Sequence, residues 1–241
     1  MRFIPLLSAV QDPGPFDAFR DVELDLSAGL HPGWAKAVVR GLAVHALHLP
    51  SLDFGDALVL KAVEALGARL SPDFLVLRAS DPSGLMGASR FFRALEAILE
   101  QTHGRGVKVA LRPEAGHAGP LAKRLKEARG EAVGFCWDAG VGADLEAISD
   151  RLLTAVHAEG VDLAALQATG YRWNMAVPPR PGEEATGLKA RLAALGTAHP
   201  GVLFPAERPT HALGRPVVEE EGVFFGPGLL GAPAPERERL R

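Results

Sequence analysis

Short apolar runs rich in strand-forming residues recur along the chain, each followed by a longer stretch with helical spacing or a helix-start signal. Eight such runs are found, at 3–7, 22–26, 42–49, 74–77, 107–111, 132–137, 152–157 and 202–205. Strands alternating with helices are the mark of a parallel sheet. Eight of them predict an α/β fold, a (β/α)8 TIM barrel, forming a single domain over 1–209 with a partly irregular C-terminal extension over 210–241. The intervening helices are best seen at 54–66, 91–103, 121–129 and 188–198. Phe91, Leu95, Ile98 and Leu99 fall on one stripe, as a helix lying against a barrel wall requires. Gly104 and Gly106 then end that helix, and Asp73 with Pro72 punctuates the start of the fourth strand.

Two stretches break the rhythm. Residues 12–34 leave little room for a full helix between the first two strands and predict an irregular connection. Residues 162–181 begin with helical propensity and pass through Tyr171, Arg172, Trp173 and a proline pair, which reads as a long loop over the barrel mouth. In the extension, 217–225 has the pattern of a hairpin around 220–222, and 231–241 is rich in Pro, Glu and Arg.

Composition narrows the chemistry. The 241 residues are 47% hydrophobic and 23% charged, enough for one large core. A net charge of -3 and a pI near 6.2 argue against a general affinity for nucleic acid, which favours a concentrated basic surface. Cys136 is the only cysteine, so neither an intramolecular disulfide nor a cysteine zinc cage is available, in keeping with a reducing, cytoplasmic setting. No apolar run approaches the roughly 20 residues of a membrane span. Phosphate-loop and nucleophile-elbow motifs are absent, and Cys136, inside an apolar strand, reads as a buried inert thiol.

In a parallel barrel the polar residues at the carboxyl ends of the strands share one bowl. Those ends carry Asp25, His45, His48, Arg78, Arg112, Glu114, Asp138, His157, Glu159, Glu207 and Arg208. His45 and His48 are read as facing one side of their strand, inward, with His45 a substrate-binding candidate. Glu23 and Asp25 share a face, and one of them is expected low in the barrel with a basic partner.

The stretch Val133-Gly134-Phe135-Cys136-Trp137-Asp138-Ala139-Gly140 resembles the sixth-strand motif of the xylose-isomerase-like family of sugar isomerases and epimerases. Leu153-Thr154-Ala155-Val156-His157 is similar to its seventh-strand motif, and Pro181-Gly182-Glu183, a helix and Gly201-Val202-Leu203-Phe204 resemble its approach to strand eight. The resemblance implies a barrel that moves a proton next to a sugar carbonyl. It implies Asp138 and His157 as ligands of one divalent metal (Mn, Mg, Co or Zn), with Glu114, Glu207 and His157 in proton transfer. The resemblance also implies a small sugar-like substrate, and the residues at the strand ends offer His45, Arg78 and Arg112 to grip it, the arginines suiting an anionic one. The chain departs from the pattern at three points: Arg112 stands where the family has its first glutamate, Val141 replaces a histidine, and Glu207 fits only if Pro205 lies inside the eighth strand. A barrel with no metal and an arginine-lined pocket is therefore the other form of the same reading.

Each candidate has a structural reading beside the chemical one. Asp138 can cap the helix that follows the sixth strand, His157 can be a core histidine, and Arg112 can bridge to Glu114 or Asp138. Two rival functions follow: a non-catalytic barrel binding a small molecule or protein partner, and a metal-dependent phosphodiesterase of the abasic-DNA endonuclease type, which shares the barrel. The acidic charge counts against the last. A homo-oligomer is compatible with all three.

Overall fold

Every strand pairs in parallel with the next one in sequence, and the last returns to the first, so the ring is closed. The strands are β1 (Arg2–Ser8), β2 (Asp21–Asp25), β3 (Ala43–Leu49), β4 (Phe74–Ala79), β5 (Lys108–Pro113), β6 (Val133–Asp138), β7 (Leu152–Val156) and β8 (Asn174–Val177). Around them lie α1 (Gly33–Val39), α2 (Gly84–Thr102), α3 (Ala118–Glu127), α4 (Leu145–Ile148), α5 (Ala164–Ala168) and α6 (Ala185–Ala198). This computed structural model describes residues 2–49, 61, 64–67, 69–82, 84–127, 133–142, 144–171 and 173–199. The fold is the expected (β/α)8 barrel.

The eighth strand is not where the apolar runs place it. Asn174–Val177, inside the stretch read as a mouth loop, pairs with both β1 and β7. Helix α6 therefore follows the eighth strand instead of leading to it, and 202–205 and Glu207 lie outside the described residues, as do the predicted hairpin and most of the helix at 54–66. A four-residue strand flanked by two partners needs little intrinsic propensity, because pairing and burial on both sides decide its conformation. Residues 12–34 do lack a full helix between β1 and β2, holding a single 3-10 turn at Gly14–Phe16.

Strand alternation divides the apolar residues into two cores. Val22, Leu24, Leu75, Leu77, Val109 and Phe135 face outward and pack with Trp34, Phe91, Leu95, Ile98 and Leu121 of the helices. Leu6, Val76, Ala110, Cys136, Val156 and Ala176 fill the interior of the ring. Two strands carry an extra residue. His45 is passed over in the pairing of β3 with β2, and Leu153 in the pairing of β7 with β6. Gly134 answers the second bulge: a Cβ there would lie 2.5 Å from the Arg151 carbonyl oxygen and from Leu153 Cγ. Among the described residues no helix is long and apolar enough to cross a membrane.

Candidate active site

The inner face at the carboxyl ends of the strands presents Arg78, Arg112 and Asp138, in keeping with the alternation that puts Val76, Ala110 and Cys136 inside. Arg112 and Asp138 are joined: Arg112 Nε and Nη2 donate to Asp138 Oδ2 at 2.8 and 2.5 Å. The other carboxylate oxygen, Oδ1, accepts the Gly140 backbone N–H at 2.9 Å. The bridge from Arg112 to Asp138 is thus present, but the helix after β6 is capped by Asp144, whose Oδ1 accepts the Ala147 N–H at 3.3 Å, and Asp138 closes the turn at Gly140 instead. Arg78 sits beside Arg112 in register, is exposed, and has no ion-pair partner among the described residues.

The remaining candidates do not join this group. Glu114, whose backbone N–H donates to the Ala79 carbonyl, lies at the rim, where its exposed side chain accepts from the Ser80 hydroxyl. His157 continues the ladder with its N–H donating to Ala176 O at 2.8 Å and, alternating with the inward Val156, turns to the outer face. There it stands edge-on to Phe3, with ring centroids 6.1 Å apart, and burial, followed by Arg191, holds its pKa down. Asp138 and His157 therefore face different sides of the barrel wall. Glu159 is exposed and paired with Arg180, whose hydrogen bond lowers the carboxyl pKa.

His45, expected in the substrate bowl, lies instead at the amino-terminal ends of the strands. Its Nε2 is 2.8 Å from Asp21 Oδ1 and its Nδ1 2.9 Å from Asp73 Oδ2, with Arg2 bonded to Asp21 at 3.1 Å. Residues three apart in a regular strand face opposite sides, and the bulge at His45 is what frees both histidines of β3 for polar partners. Burial disfavours the charged imidazole here, but the hydrogen bonds to Asp21 and Asp73 outweigh it and raise the pKa.

Between this lower cluster and the mouth lies a group that strand-end inspection underplays. His48, 4% exposed, brings Nε2 to 2.6 Å from Oε2 of Glu23, itself 1% exposed, and Thr154 Oγ1 donates to Glu23 Oε1 at 3.2 Å. The signal in the sequence is a carboxylate in the middle of the alternating run Asp21-Val22-Glu23-Leu24-Asp25, and the basic partner expected for Glu23 or Asp25 is His48. Cys136 lies between the layers. Burial pushes its thiol pKa up, Arg112 opposes, and Glu23 and Asp138 add to the rise.

A divalent metal of the kind the family uses does not fit this donor set. Both Asp138 oxygens are engaged, the nearest cation is Arg112, and His157 points away. Strand eight ends in Val177 followed by Pro178, so the strand end itself offers no carboxylate. Among the described residues no three His, Cys, Asp or Glu side chains gather as a ligand shell.

Fold and inner face together define a closed (β/α)8 barrel whose mouth carries an arginine–aspartate pair. No protein-family model matches the sequence, and no curated protein matches it. Solved structures do. A xylose isomerase domain protein from Planctomyces limnophilus is 14% identical with a TM-score of 0.64, covering 81% of this chain and 96% of its own. The 3-keto-D-glucoside 4-epimerase of E. coli is 15% identical with a TM-score of 0.60, covering 82% and 99%. The IOLI protein, with a bound zinc atom, is 12% identical with a TM-score of 0.57, covering 83% and 99%.

Proposed function

We propose that this chain is a sugar or sugar-acid isomerase or epimerase that moves a proton next to a carbonyl without a divalent metal. The observation that carries the reading is the mouth chemistry on a fold shared with sugar epimerases: Arg112 occupies Asp138, and Arg78 stands beside it with no ion-pair partner among the described residues. A guanidinium offers a planar fork to a carboxylate or phosphate. Arg78 thus binds the anionic end of the substrate, and Arg112, held by Asp138, keeps a second positive edge on the same wall. The oxygen that becomes negative as the proton leaves is stabilised by such fixed donors in place of a metal. Glu114 at the rim and Glu207 are the carboxylates this reading offers for proton transfer.

The test is deuterium incorporation from D2O, followed by NMR, at the carbon beside the carbonyl of D-fructose, D-fructose 6-phosphate and 2-keto-D-gluconate. The expected result is exchange that persists in excess EDTA, with Arg78→Ala raising KM for the two anionic compounds by about tenfold or more. Loss of exchange on chelation, restored by Mn²⁺ or Zn²⁺, defeats the metal-free form. The same replacement of a family carboxylate by Arg112 favours a second reading, a binding protein on the same scaffold. Saturable binding of 2-keto-D-gluconate without exchange is its signature.

A further inference from the structure

Among the described residues two buried side-chain polar atoms lack a hydrogen-bond partner, Trp34 Nε1 in the outer core and His48 Nδ1 at the centre of the barrel, and only the second belongs to a titratable pair. Taking a carboxylate and an imidazole out of water is expensive unless their hydrogen-bonding capacity is met. Glu23 is met on both oxygens, by His48 and Thr154. His48 is not: its Nδ1 is buried and has no hydrogen-bond partner among the described residues. An ordinary structural histidine uses both ring nitrogens, as His45 does lower in the same strand.

The ring is held from one side only, through Nε2. Nε2 is turned to the Glu23 carboxylate, so in the neutral imidazole that donates to it the lone pair is on Nδ1. A carboxylate behind an imidazole holds the ring and stabilises the cation that forms when the far nitrogen takes a proton. Position agrees. His48 is in register with Val76 of β4, and Arg78 is the next inward residue along that strand. Two residues of strand rise about 6–7 Å, which is the span between the acidic end of a short sugar acid or sugar phosphate and a carbon near its carbonyl.

From this geometry we infer that His48 Nδ1, backed by Glu23, is the proton-transfer group of the barrel, a role that rests on the isomerase reading above and displaces Glu114 and Glu207 from it. The lone pair of Nδ1 takes the proton from the carbon next to the carbonyl. The C–H electron pair forms the carbon–carbon double bond of an enediolate, and the carbonyl oxygen takes the negative charge. The imidazolium, paired with the Glu23 carboxylate, then gives its proton to the former carbonyl carbon while the hydroxyl proton of the deprotonated carbon passes to the former carbonyl oxygen, which leaves the carbonyl moved by one carbon; return of the proton to the first carbon gives exchange with solvent alone. No oxidant or co-reactant is consumed. Thr154 and Glu23 act as positioning residues.

The same exchange assay in D2O tests it. Expected results are a loss of about a hundredfold or more in His48→Gln, a drop of about tenfold or more in kcat with KM little changed in Glu23→Gln, and a far smaller loss in Glu114→Gln. In the native protein, ¹⁵N-histidine NMR at the assay pH is expected to show His48 protonated on Nε2 and bare on Nδ1, a measurement that requires no variant to fold. Exchange that survives His48→Gln, or a proton on Nδ1 in the resting protein, overturns the inference and leaves the isomerase reading standing. Absence of exchange by the native protein on all three compounds overturns both.

Discussion

Arg112 and Asp138 are both largely buried, so the effect of a substitution depends on which partner is left behind. Arg112→Ala strands a carboxylate in the barrel mouth and is expected to lower the unfolding free energy by about 3–5 kcal/mol in urea titration. Arg112→Met with Asp138→Leu removes both charges and is expected to recover most of that loss, since no unpaired ion remains. The lower cluster makes a prediction about pH. His45 has a raised pKa in the folded state, so the stability it contributes is complete below the unfolded value of about 6.5 and is lost as pH rises through the folded value. Lys108, in the same end of the barrel, acts oppositely: burial holds it at about 8, so folding gains as pH rises from there toward the unfolded value of about 10.4. Urea midpoints from pH 6 to pH 10 are expected to fall and then recover, and His45→Gln should remove the fall while leaving the recovery. The residues behind these effects were readable as polar positions in apolar strands, but their partners were not, because Asp21, Asp73 and Arg2 meet His45 only after the ring closes.

Strands announced themselves when they were long and apolar, as β3 and β6 are, and helices when their stripe was regular, as in α2. Strand β8 gave no such signal: Asn174-Met175-Ala176-Val177 is short, opens on a poor strand former and stops at a proline pair. The misplacement of that one element shifted the expected final carboxylate to Glu207, where the observed strand ends in Val177. His157 shows the same sensitivity in miniature. It closes an apolar strand as the resembled motif does, yet alternation from Val156 sends it outward. Gly134 is the clearest test at this level. Because a Cβ would meet both the Arg151 carbonyl and Leu153, Gly134→Ala forces the β6–β7 bulge to move and is expected to cost about 1–3 kcal/mol, measured by thermal and urea unfolding.

For the whole molecule, the closed ring makes the site and the core one object. Every strand is held on both sides, so there is no free sheet edge, and the polar layers at Arg2, Glu23 and Arg112 are stacked inside the same cylinder. Fold class was legible because alternation of strands and helices survives the misreading of one member. The site was less so, since it depends on which residues face inward at which height, and two bulges alter that count.

Cys136 is the single thiol, fully enclosed within the cylinder, and its reluctance to ionise leaves it unreactive while the ring is shut. It is therefore a built-in reporter of opening. Under native conditions iodoacetamide is expected to label it only in the small fraction of molecules whose barrel is open, so with reclosing faster than labelling the rate, compared with that of the denatured chain, yields the free energy of global opening. Substitutions that merely loosen the rim around Glu114 and Ser80 should leave that rate unchanged.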